Sequence, residues 1–99
     1  MFDWRSIPHP NYGNYGGAKN GSDTKLDPID WMDRAFMFHD LELKKATKDY
    51  QKDEADCNLY FKLRDGDPNT LKYPIYGKIY RIGALIVFYI ACSNIFSVH

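Results

Sequence analysis

Three ionisable side chains stand where they could act together: His39 and Asp40, adjacent near the end of the stretch Asp27 to Asp40, and Asp56 farther on. His39 belongs to a helical stripe. Ile29, Met32, Phe36, His39 and Leu43 recur at spacings of three and four, so the imidazole shares a buried face with apolar neighbours. Asp40 is turned about 100° round the same helix, close enough for imidazole and carboxylate to serve one cavity. Asp56 repeats the anomaly in a second apolar stripe, with Ala55, Leu59, Tyr60 and Leu63. A carboxylate buried there needs a donor, and a histidine on a facing helix would supply one. The alternative is that Asp56 sits at the stripe's edge and reaches solvent.

Two helices must position these groups. The first is expected to begin at Asp27, whose carboxylate can accept first-turn amides, with Pro28 at the first helical position. The second is expected from roughly Asp53 to Arg64, with the charged run Lys44 to Lys52 as helix end and connection. A short connection makes the pair antiparallel, which sets Asp56 against His39. Ahead of them Asn11 to Lys25 is rich in glycine and asparagine and has no apolar period, so it is a long loop. Glycines allow such a loop to turn carbonyl oxygens inward toward a hard cation such as Ca²⁺, and a plain surface connection is the alternative. The residue spacing of an EF-hand is absent.

The chain of 99 residues has the size of one small domain with a limited core. Its 13 basic and 13 acidic side chains cancel, which argues against charge-driven binding of nucleic acid. Eight tyrosines, six phenylalanines and two tryptophans suit compact packing or a bilayer interface. Phe2, Trp4 and Ile7 are candidate anchors in a short N-terminal lead that shows no secretory signal pattern. Cys57 and Cys92 are too few and too far apart for a disulfide framework, so reduced thiols in a cytosol-like or matrix-like compartment are expected.

After the turn signal Gly66-Asp67-Pro68-Asn69, the character of the chain changes. From Ile82 to Val98 it carries no formal charge, and as a helix this segment is about 25 Å long, near the lower limit for crossing a bilayer. Lys78 and Arg81 could snorkel at one interface beside Tyr76 and Tyr80. The expected organisation is a helical domain over 1–74 and a transmembrane helix over 75–99, a buried third helix being the alternative.

The series Tyr12-Gly13-Asn14-Tyr15-Gly16-Gly17, Pro28-Ile29-Asp30, Asp33-Arg34, His39-Asp40 and Ala55-Asp56 resembles the phospholipase A2 family, in particular its disulfide-free viral-type members. The resemblance covers roughly Asn11 to Leu63 and implies a mainly α fold, in which a calcium loop precedes two antiparallel helices. It also implies roles. His39 would be the general base and Asp56 would hold its tautomer; Asp40 would bind Ca²⁺ with the backbone carbonyls of Tyr15, Gly17 and Lys19. A histidine that activates water and a cation that stabilises the developing oxyanion together suit ester hydrolysis. Several positions depart from the family pattern. Leu43 stands where a tyrosine usually supports the aspartate, with Tyr50, Tyr60, Tyr73 and Tyr76 as candidate replacements. The loop is longer, Lys19 replaces a glycine, and Gly16, Ala35, Phe36 and Glu42 fill half-cystine positions.

The resulting expectation is calcium-dependent hydrolysis of phospholipid sn-2 esters by a membrane-associated domain on the cytosolic or matrix side. Its alternative is an inactive accessory subunit of a membrane complex, such as a mitochondrial one, held to partner subunits through residues 79–98.

Overall fold

The computed structural model describes residues 11–16 and 26–97, and Gly17, Lys19, Phe2, Trp4 and Ile7 lie outside them. The described residues form a mainly helical fold: α1 (Trp31–Lys45), α2 (Asp49–Asp65), a 3-10 turn (Pro68–Thr70) and α3 (Pro74–Ser97).

Helix α1 begins three residues later than Pro28 would have it. Asp30, with extended backbone, is the cap, and its carboxylate accepts the amide of Asp33. Asp33 in turn accepts the amide of Ile29 at 2.9 Å, which holds the Pro28-Ile29 segment outside the helix. These two bonds, one in each direction across the first turn, set the start at Trp31. The predicted stripe is correct in face: Met32, Phe36 and His39 are buried, and Ile29 and Leu43 pack at its edges.

Only Ala46 to Lys48 separate α1 from α2, because the side-chain carbonyl of Gln51 accepts the amides of Thr47 and Lys48 and starts α2 at Asp49. The charged run expected as a connection is therefore partly the first turn of α2. The helices are antiparallel, with the Trp31 ring against Gly66, Lys62 over the Phe38 ring and Asn58 bonded to Glu42.

Helix α3 folds back along α2. Arg81 donates to the carbonyls of Leu63 and Arg64 and so caps the C-terminal end of α2 rather than reaching toward an interface. Tyr89 packs on Tyr60, and Phe88 joins Met32, Phe36, Leu59 and Leu63 in a single core cluster. Cys57 and Cys92 are joined in a disulfide, which corrects the expectation of reduced thiols. Separation in sequence was no guide, because pairing was set by the antiparallel register of α2 and α3. With the pair oxidised, the cysteines no longer support a reducing compartment.

Candidate functional site

Burial of the α1 and α2 stripes against one another brings His39 and Asp56 together. The imidazole Nε2 lies 2.7 Å from Asp56 Oδ1, with His39 only 2 % and Asp56 8 % exposed. The aspartate thus has the partner that its burial requires. From α3 the Phe88 ring meets the imidazole edge-on, with centroids 5.2 Å apart. The disulfide is attached to the residue after Asp56, and its other end lies one turn beyond Phe88, so it binds the two walls of the pair to each other.

Asp40 lies next to His39 on α1 and is half-buried. Around Asp56 the N-terminal turns of α2 are acidic: partial burial, followed by repulsion from Asp56 and Asp49, pushes the Asp53 carboxyl above its usual range. None of the four candidate tyrosines is bonded to Asp56. Tyr76 donates to the Asn11 carbonyl and Tyr60 packs among Phe61 and Tyr89.

The loop ahead of α1 is seated by carboxylates. Residues Tyr12 to Gly16 close on themselves through paired backbone hydrogen bonds of 2.9 and 2.8 Å. Asp33, fully buried, accepts the amides of Asn14 at 3.1 Å and Tyr15 at 2.8 Å in addition to that of Ile29. Gly13 has a φ of 59°, and a Cβ there would lie 2.5 Å from the Asp33 carboxyl carbon, so both backbone sign and space require glycine. Asp30 accepts the Lys72 amide and the Tyr12 hydroxyl, whose pKa is driven well above the tyrosine range by burial and then by that carboxylate. Tyr15, expected to offer its carbonyl to a cation, is held by its amide to Asp33 and by its hydroxyl to the Leu26 carbonyl.

Of the predicted site residues, His39 and Asp56 are thus in contact; Tyr15 is anchored two turns before Asp40 on α1; Gly17 and Lys19 are outside the described residues. Among the described residues no group of three or more His, Cys, Asp or Glu side chains could hold a metal. The structural work of Asp30, Asp33 and Phe88 is not anticipated by the apolar stripes. A signal for the first two was present, since aspartates three apart before an apolar stripe have the spacing of a helix cap and its partner. Phe88 offered none, lying in a segment apolar on every side.

No family model, curated protein or solved structure matches this chain.

Proposed function

We propose that the chain hydrolyses phospholipid sn-2 esters in a calcium-dependent manner, on a phospholipase A2-like core. The observation that carries this reading is the buried pair of His39 and Asp56 at 2.7 Å. In the tautomer that donates Nε2–H to Asp56, Nδ1 is the basic nitrogen, and the carboxylate stabilises the imidazolium once a proton arrives. His39 takes that proton from water, the water oxygen attacks the ester carbonyl, and the proton passes on to the departing alkoxide. The Phe88 ring against the imidazole shields the pair from bulk water and so strengthens the contact between His39 and Asp56.

The Asp40 carboxylate and the carbonyls of Tyr15, Gly17 and Lys19 are hard oxygen donors of the kind Ca²⁺ prefers, and a set dominated by backbone needs no cluster of acidic side chains. Calcium held by them would supply positive charge to the developing oxyanion. Asp33 would serve this set by fixing the Tyr15 amide.

A second reading has one observation in its favour. His39 is nearly inaccessible, with Phe88 against its ring, as expected of a structural histidine in an inactive accessory subunit of a membrane complex. Fatty-acid release from mixed phospholipid vesicles separates the two readings, measured with calcium, with excess chelator and with His39→Gln. Release is expected to require both calcium and His39, with a loss of about 10³-fold in the variant. Equal rates in variant and parent, or no release by either, would remove the hydrolase reading.

A further inference from the structure

Helix α3 has two apolar faces, and among the described residues only one is packed. Toward α1 and α2 it turns a mixed set: Gly77, Phe88, Ala91 and Cys92 are buried, and Tyr80, Ala84, Leu85 and Val87 pack against the core. On the other side Ile75, Ile79, Ile82, Ile86 and Ile90 are 81, 65, 57, 59 and 40 % exposed. Their spacings of four, three, four and four residues align them in one stripe about 22 Å long. Scattered surface isoleucines need no explanation, but five in a row form an apolar patch of the kind that marks an interaction surface.

We propose that this isoleucine stripe seats the protein flat on an anionic lipid surface, with α3 lying in the plane of the interface. Three observations choose this occupant. The first concerns orientation. Although α3 is long and apolar enough to cross a bilayer, the Cys57–Cys92 disulfide and the Arg81 bonds clasp it along its length to α2. A perpendicular insertion would draw the exposed Lys52, Glu54, Lys62 and Arg64 of α2 into hydrocarbon, at several kcal/mol for each charge. The second is charge: residues 74–97 contain no Asp or Glu, whereas exposed Lys72 and Lys78 border the stripe. Those cations complement phosphate headgroups, whereas a second copy of α3 brings no carboxylate to them, since the helix has none. The third is the rim, where the exposed rings of Tyr73 and Tyr89 have the apolar body and polar tip that headgroup depth favours.

Attachment by this surface does not depend on hydrolysis, and the test keeps the two apart. Co-flotation of the full chain is measured with excess chelator, on vesicles of phosphatidylcholine alone and of phosphatidylcholine mixed with phosphatidylglycerol. Binding to the mixed vesicles is expected to be stronger, to weaken with salt and to be unchanged by His39→Gln. The pair Ile79→Glu and Ile86→Glu should lower it about a hundredfold, as should the milder Ile79→Ser and Ile86→Ser to a smaller degree, with helical circular dichroism retained in both. Alkaline carbonate should release the bound protein. Equal binding by parent and Glu variant, equal affinity for the two vesicle types, resistance to carbonate, or a dimer in sedimentation that binds no vesicle would each overturn the proposal.

Discussion

Helices α1 and α3 each bury one face in the same core, yet they are held there by different means. α1 places an aspartate and a histidine inside, Asp33 fully buried and His39 nearly so, and satisfies them with amides and a carboxylate. α3 has little polar content; what holds it is close packing through small residues, the Arg81 clamp and one covalent bond. Hydrogen bonds admit only one rotation of α1. In α3 both sides are apolar, and the choice falls to shape: Gly77, Ala91 and Cys92 allow close approach, and Phe88 fills the core between the helices.

The contrast can be tested at several depths. Asp33→Ala should be the most damaging change, since it leaves buried amides without an acceptor and should cost about 5 kcal/mol. Urea titration followed by circular dichroism would measure it. A loss below about 1 kcal/mol would mean that the loop is not fastened by this carboxylate. On α3 the two faces should separate cleanly: Phe88→Ala is expected to cost about 4 kcal/mol, against under about 0.5 kcal/mol for the exposed Ile82→Ala. Equal effects would mean that the helix is rotated. Reduction of Cys57–Cys92, which closes a loop of 35 residues, should cost up to about 4 kcal/mol and lower the thermal midpoint. An unchanged midpoint with dithiothreitol, thiols verified free, would contradict the clasp between α2 and α3.

The smallest effect is one of pH. Asp53 holds its proton in the fold to a higher pH than in the unfolded chain, first because of burial and then because of Asp56 and Asp49. Just above the ordinary carboxylate value of 3.8 the native state therefore binds more protons than the unfolded one, and stability falls as pH rises through that window. Asp53→Asn should flatten this fall and add about 0.3 kcal/mol at neutral pH, small because the site is largely solvated. Stability that fell equally in the variant would assign the slope to other groups.

What the sequence made legible follows the same division. The α1 stripe and the meeting of His39 with Asp56 could be read in advance, because a period of 3.6 and a misplaced carboxylate are local facts with one economical solution. The start of α1 could not, since Asp27 and Asp30 are both competent caps and the competition is decided by Asp33 bonding to Ile29. Nor could the cysteine pairing, which depends on how two helices align across 35 residues. The inner face of α3 was hidden for a different reason: periodicity has no contrast to report where every side is apolar.

The covalent bond beside Asp56 also bears on how the protein comes apart. From Cys57 to Cys92 the chain is a closed ring containing the C-terminal half of α2, the 3-10 turn and most of α3, whereas α1, the segment before it and the first half of α2 lie outside. Partial opening would therefore favour departure of α1 with His39 while Asp56 and Phe88 stay tethered as neighbours. Amides inside the ring would then be the slow ones in hydrogen exchange, and returning α1 would find half of its candidate site already assembled.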